Sequence, residues 1–430
     1  MDLSTYVNFI PLSAEPGKSL IYSSLRGTLL KCPESFINNI KNGIISERNR
    51  DTLIKLGVLI PDADVERERM KGFYLEANQK SNKFSVLATL NLDCNLNCGY
   101  CFEDHFRGKK YMTAETADLL VQRLLASPVA DGKELLIDFY GGEALLSKDL
   151  ILRIATPLHA AMQASQKPFG FTIITNGTLL SQPVVGELIP LGLKSIRTTL
   201  DGPPDIHDQQ RPFVSGKGSF VKIINNLKSI SHMIPINLGG NFRQDNYRRF
   251  PEMLDILLAE GLTPDKIPLV QFSPITPTAG EAGLGDFARG CACTSEPWLI
   301  EASLYLREET LKRGYSVPKV KIAGCVVEFE NDLVVRYDGA LFKCPAFMGW
   351  PDMQVGSLAE GITADYSVSH NLDVWKNDEC LNCPYLPICF GGCRFLRRLI
   401  TGAIDGVDCR REYYDATLGN ILLHDISYRE

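Results

Sequence analysis

The sequence lacks any run of about 18 or more apolar residues, so no helix in it is expected to span a membrane. Its start, MDLSTYVNFIPLSAEPGKSL, lacks the basic stretch followed by an apolar stretch that marks a secretory signal. A large excess of charge of either sign is also lacking. The net charge of −6 excludes a broad nucleic-acid-binding surface, while leaving room for a local basic patch. With 45% hydrophobic and 22% charged residues, the chain has neither a disordered nor a fibrous composition. Its 430 residues equal two to three domain-sizes, enough for a sizeable buried core. The expectation is a cytoplasmic chain with neither nucleic acid nor membrane as partner.

Cysteine is what the chain has in excess. There are 13, an odd number, and ten fall in two neighbourhoods. In a reducing compartment such clustering reads as metal or redox chemistry rather than a disulfide framework.

Residues 1–80 hold one cysteine, Cys32, read as a small buried residue. SLIYSSLRGTLLKCP alternates like a hairpin with Arg26-Gly27 near its turn, and PESFINNIKNGI and SERNRDTLIKLGVLIPD carry apolar residues at helical spacing. Strands followed by short helices suggest a small winged-helix-like domain, with DADVERERMKG as a helical linker. From Ser85 strand and helix alternate. The predicted strands are 85–92, 134–142, 171–177, 194–202, 235–242 and 267–275. Six such units predict an α/β fold with a parallel sheet, a partial (β/α)6 TIM-like barrel spanning 81–315, and a ligand site at the carboxyl ends of its strands. Beyond about residue 315 periodicity fades. Residues 316–430 are loop-rich and cysteine-punctuated, end in a short helix, and are expected to need bound metal to hold together.

DCNLNCGYCFED places Cys94, Cys98 and Cys101 in a C-x3-C-x2-C array just past a predicted strand. Three thiolates on one short loop can cap one corner of a cubane and leave the fourth iron open. The alternatives are a zinc site completed by a distant histidine, or three buried apolar cysteines. Zinc knuckles favour C-x2-C pairs, and apolar burial does not suit so polar a loop.

The array, with Tyr100 as the aromatic before its last cysteine, resembles the signature of the radical S-adenosylmethionine (SAM) superfamily. The resemblance implies that the amino and carboxylate groups of SAM chelate the open iron, and that reductive cleavage gives a 5′-deoxyadenosyl radical. Neighbouring segments are similar to the same family. FYGGEALL supplies Gly141, Gly142 and Glu143, the glycines for close backbone approach and the carboxylate for the amino group of SAM. ITNGT puts Asn176 near the cofactor. TTLDGPPDIHDQQRP has Thr199 where serine is usual. Its Asp201, His207 and Arg211 either act on substrate or brace the loop. Gly239 stands where relatives often carry a cofactor-facing arginine, for which Asn241 or Arg243 would compensate.

Downstream, Cys325, Cys344, Cys380, Cys383, Cys389, Cys393 and Cys409 read C-x13-G-x4-C, a gap, C-x2-C-x5-C-x3-C, a gap, and C, with Gly339 as the internal glycine. On residues alone, two auxiliary clusters or a pair of structural zinc ribbons fit. The order resembles the SPASM extension of radical SAM enzymes. That resemblance assigns Cys380, Cys383, Cys389 and Cys409 to an outer cluster. Cys325, Cys344 and Cys393 go to an inner one, whose fourth position falls at Asn331 and is left open or non-cysteine. In all, three [4Fe-4S] clusters and SAM are implied. Cys291 and Cys293, in ARGCACTSEP, match neither array and read as substrate-handling thiols, a spare ligand or loop cysteines.

SPASM enzymes mainly modify peptides. The resemblance therefore implies a maturase that takes a precursor peptide with its leader and uses an electron donor such as flavodoxin or ferredoxin. Its winged-helix-like domain would capture the leader as an added strand, or serve as a plain dimerisation or packing domain. The product would be a cross-link, thioether first and carbon–carbon next, because the inner cluster lacks a ligand. The alternatives are an anaerobic sulfatase maturase forming formylglycine, a non-catalytic iron–sulfur electron carrier, and a zinc adaptor. The sulfatase maturases carry an aspartate directly after the cysteine equivalent to Cys344, where this chain has Pro345.

Overall fold

Apolar stretches rich in β-branched and aromatic residues become parallel strands where helices on the connections can cover them. Six do so in the computed structural model, which describes residues 1–12, 15–275 and 296–428. They are β1 (Lys83–Thr89), β2 (Glu134–Tyr140), β3 (Phe169–Ile174), β4 (Leu193–Thr199), β5 (Ile236–Phe242) and β6 (Leu269–Pro274). Their order in the sheet is their order in the chain, and every neighbouring pair is parallel. Each falls within or beside one of the six stretches expected from the sequence. Helices such as Ala114–Leu124, Lys148–Ala164 and Phe220–Ile230 make the crossovers that parallel pairing requires. They bury Leu120, Ile154, Leu158 and Leu227 against Val86, Ile137, Phe139, Ile173 and Ile196 of the strands. Beyond β1 the sheet continues through Asp332–Val335, parallel to it, and then three short antiparallel strands ending at Gly361–Ile362. These residues form one compact unit, Ser81–Pro318 with Glu330–His370.

The second unit draws on Met1–Lys80, Lys319–Phe329 and Asn371–Glu430. Its N-terminal part is an antiparallel meander of Val7–Pro11, Lys18–Ser23 and Thr28–Pro33, one strand more than the expected hairpin. Gly27, at φ +65°, takes the left-handed position in the turn between the last two. Helices Glu34–Lys41 and Glu47–Lys55 follow. Asp62 caps helix Ala63–Lys71 by accepting the N–H groups of Asp64 (2.8 Å) and Val65 (3.0 Å). Two apolar clusters join the first 80 residues to the last 60: Tyr6, Met70 and Tyr74 with Trp375, Leu386 and Phe390, and Leu12, Leu20 and Tyr22 with Ile388, Leu418 and Leu422. The cysteine-rich tail therefore has an apolar core, supplied largely by residues far away in sequence. Among the described residues no helix is long and apolar enough to cross a membrane.

Candidate functional site

The loop that leaves β1 carries Cys94, Cys98 and Cys101, and hydrogen bonds from three directions hold it. Gly142 N–H donates to Asn91 O (3.1 Å) and Glu143 N–H to Asp93 O (2.8 Å). A Cβ on Gly142 would lie 2.3 Å from Asp93 O, and one on Gly141 2.7 Å from Asn91 O. The space these glycines leave open is thus filled by the protein's own backbone. On the other flank, Asn97 N–H donates to Pro212 O (2.8 Å) and Val214 N–H to Asn95 O (3.0 Å), so the Arg211-Pro212 segment pairs with the cysteine loop.

Glu143, fully buried at the end of β2, accepts the N–H of Leu145 (2.9 Å), the hydroxyl of Thr175 (2.7 Å) and the N–H of Asn176 (2.7 Å). Burial pushes its carboxyl above the ordinary range, and the three donors work against that. Asn176 in turn donates its amide to Asn95 Oδ1 (2.8 Å) and to Cys94 Sγ (3.6 Å). The Cys94 sulfur also accepts the N–H of Leu96 (3.4 Å).

A second network closes around Tyr100. Its hydroxyl donates to Asp201 Oδ2 and accepts from Arg211 Nη1 (2.7 Å) and Asn241 Nδ2 (3.1 Å). Asp201 has no exposed surface, and it also accepts the N–H of Asn241 (2.7 Å). His207 is buried with both ring nitrogens engaged. Nδ1 accepts the N–H of Asp201 (3.1 Å), and Nε2 donates to Ser219 Oγ (3.0 Å), whose own proton goes to Arg211 O (2.7 Å). Burial, with Arg211 adding to it, drives the imidazole pKa well below its usual value, so His207 is neutral. Thr199 lies half-buried at the end of β4, beside Gly239 of β5.

These residues suit a cluster on the loop. Its three thiols are half-buried on eight consecutive residues, and Cys94 receives two N–H···S bonds, the kind of contact that tunes a thiolate ligand. Burial pushes all three thiols up, Cys101 to about 12, so iron has to displace their protons. Among the described residues no three Cys, His, Asp or Glu side chains close on one point as the ligands of a single ion would. A cubane spreads its thiolates over separate irons and needs no such point.

The sequence profile of the Radical SAM superfamily matches residues 91–257, the stretch that holds both networks. The chain is a radical SAM enzyme. Its cofactors are SAM and a [4Fe-4S] cluster. It is related to the SPASM-type peptide maturases. The PqqA peptide cyclase of Granulibacter bethesdensis is 24% identical over 75% of this chain and 85% of its own length. The cysteine-type anaerobic sulfatase-maturating enzyme of Clostridium perfringens is 24% identical over 71% of this chain and 86% of its own. Among solved structures, Streptococcus suis SuiB bound to precursor peptide SuiA shares the fold at 14% identity, with a TM-score of 0.56 over 95% of this chain and 98% of that one.

The radical SAM enzyme's other unit gathers Cys380, Cys383, Cys389 and Cys409 around one cavity, with Arg410 and Arg411 on its wall. The run Phe390, Gly391 and Gly392 makes this possible, with φ of +45°, +76° and +74°. It reverses the chain after helix Leu386–Cys389 and admits the Cys409 segment. Asp408 N–H donates to Gly391 O (2.9 Å), Asp408 Oδ2 accepts the N–H of Cys393 (3.0 Å), and a Cβ on Gly392 would lie 2.1 Å from Asp408 O. Burial pushes the Cys389 thiol up to about 11, against the nearby Arg410. The segments of Cys325 and Cys393 are tied together by a buried ion pair between Glu328 and Arg394, whose Nη1 also donates to Phe390 O and Gly392 O at 3.1 Å each.

Cys344 belongs to the parallel-sheet unit, between Ala340–Phe342 and the short helix Pro345–Phe347. Cys291 and Cys293 lie outside the described residues. Asn95, Ser219, Glu328 and Arg394 were not singled out from the sequence. Asn95 stands inside the cysteine array and was open to notice there; nothing local marks the other three.

Proposed function

We propose that this radical SAM enzyme is a maturase that installs a cross-link in a ribosomally made precursor peptide, thioether first and carbon–carbon next. The observation that carries this reading is the second cysteine centre, four thiols around one cavity in the same chain as the radical SAM loop. The relatives support it: one is a peptide cyclase, and a structural neighbour holds a precursor peptide.

When bound, SAM and the reduced cluster supply a 5′-deoxyadenosyl radical that takes hydrogen from the substrate. Cys94, Cys98 and Cys101 hold that cluster. Asn176 and Glu143 fix the Cys94 end of the loop, and Tyr100, Asp201, Arg211 and Asn241 fix the other. His207 positions Asp201 and does not move a proton, because both its nitrogens are already engaged. Cys380, Cys383, Cys389 and Cys409 hold an outer auxiliary cluster. Cys325, Cys344 and Cys393 hold an inner one, with a fourth site free for a substrate thiolate. The strands and helices of residues 1–80 take the leader, and a flavodoxin or ferredoxin delivers electrons.

The test is anaerobic reconstitution with SAM and dithionite, followed by incubation with cysteine-containing peptides encoded beside the gene. About twelve irons per chain, release of 5′-deoxyadenosine and a peptide lighter by two hydrogens are expected. Formylglycine in a sulfatase peptide would establish the sulfatase alternative instead. Zinc without deoxyadenosine would overturn the reading.

A further inference from the structure

Tyr74, described above only as part of an apolar cluster, has no place in the chemistry proposed so far. It lies on helix Phe73–Lys80, is 4% exposed, and is enclosed by the rings of Phe73 (5.3 Å between centroids), Phe329 (5.2 Å), Trp375 (5.8 Å) and Phe390 (4.9 Å). Such a cage suits phenylalanine. The residue is a tyrosine, and its buried hydroxyl has no hydrogen-bond partner among the described residues. The ring contacts fix where that hydroxyl goes. A Cβ on Gly324 would lie 1.4 Å from the phenol oxygen, so the glycine before Cys325 is the one residue type that lets it in. A buried donor without an acceptor is costly, and four packed rings leave water little room to supply one. The phenol is protonated: burial first, then Glu328 and Cys325, push its pKa far above the usual value.

We propose that the Tyr74 hydroxyl donates a hydrogen bond to sulfur of the inner auxiliary cluster, the one that Cys325 and Cys393 would hold. This rests on the auxiliary-cluster reading given above. Glu328 does not take the proton, since Arg394 and the N–H of Asp373 (3.2 Å) already occupy it. A donor to sulfur stabilises the reduced cluster and raises its potential. It comes from the segment proposed to receive the peptide leader. A shift of that helix on peptide binding would therefore alter how readily the cluster accepts an electron.

The experiment compares the full-length, anaerobically reconstituted protein with its Tyr74→Phe variant by iron content and EPR-monitored redox titration. Equal iron is expected, with one signal shifted to lower midpoint potential, namely the signal that Cys325→Ala removes. Unchanged midpoints at full iron content, or a shift in a different signal, would overturn the proposal while leaving the auxiliary clusters standing. Loss of about four irons from a folded Tyr74→Phe protein would make the oxygen a ligand, not a donor. About four irons in the unsubstituted protein would sink the auxiliary-cluster reading and this proposal together. Should Tyr74→Phe misfold, 3-fluorotyrosine at position 74 keeps the shape and strengthens the donor. It is expected to move the same signal upward, and no movement would count against the role.

Discussion

The two cysteine centres present the same side chain but are built from opposite materials. Around Cys94, Cys98 and Cys101 the supports are polar and local to strand ends: Glu143, Asn176, Tyr100, Asp201 and Arg211, each tied to the next by hydrogen bonds. Around the downstream cysteines the supports are left-handed glycines, aromatic packing and one buried ion pair, drawn from three separate chain segments. The first arrangement fixes orientation, which a loop that must aim a radical needs. The second relies on the shape of an apolar interior rather than on directed bonds, with its thiols half-buried and Cys409 exposed.

The contrast can be broken in four ways. Replacing Cys94, Cys98 and Cys101 by alanine is expected to lower deoxyadenosine formation by at least about a thousandfold, while about eight of twelve irons stay bound. Iron analysis and chromatography check this, and loss of all iron would show the centres are not independent. Removing residues 1–80 takes away Tyr6, Leu20, Tyr22 and Tyr74, so iron is expected to fall to about four per chain and the tail to become protease-sensitive. Arg394→Leu strands the Glu328 carboxylate in the interior and should cost about 3–5 kcal/mol in chemical denaturation. Asp201→Asn should lower turnover about tenfold at unchanged iron content, since the Tyr100 hydroxyl loses its charged acceptor and Arg211 its ion-pair partner while both keep their places.

The smallest effect is on acid sensitivity. His207 is neutral in the fold with its pKa depressed, so below about pH 6.5 the unfolded chain binds a proton that the folded chain refuses. Stability should fall as pH drops through that value, by at most about 1.4 kcal/mol per pH unit from this group. His207→Gln should flatten the slope, as read from denaturation midpoints at pH 7, 6 and 5.

Much of this was open to reading in the sequence where the signal is local. The six strands show because parallel strands are apolar runs set between helical ones, and the cysteine loop shows because its ligands fall within eight residues. Asp201, His207 and Arg211 were visible as candidates, but that His207 spends both nitrogens on bracing depends on Ser219, twelve residues on. Gly141 and Gly142 suit close backbone approach, and the structure adds a second need for glycine there, because a Cβ would meet the carbonyls of Asn91 and Asp93. Glu328 and Arg394 pair across 66 residues, and no periodicity carries such a pairing. Strands of two to four residues, such as those between Asp332 and Ile362, are too short to show a period of two at all.

The shared core of the first 80 and last 60 residues also bears on building chimeras. An N-terminal segment that donates Tyr6, Leu20 and Tyr22 to the packing of Trp375, Phe390 and Leu418 is not a detachable cassette. Grafting a foreign N-terminus at residue 80 would leave half an interior exposed. Junctions that move all three segments together, cut near 80, 318, 330 and 370, would carry a complete interior as one heritable piece.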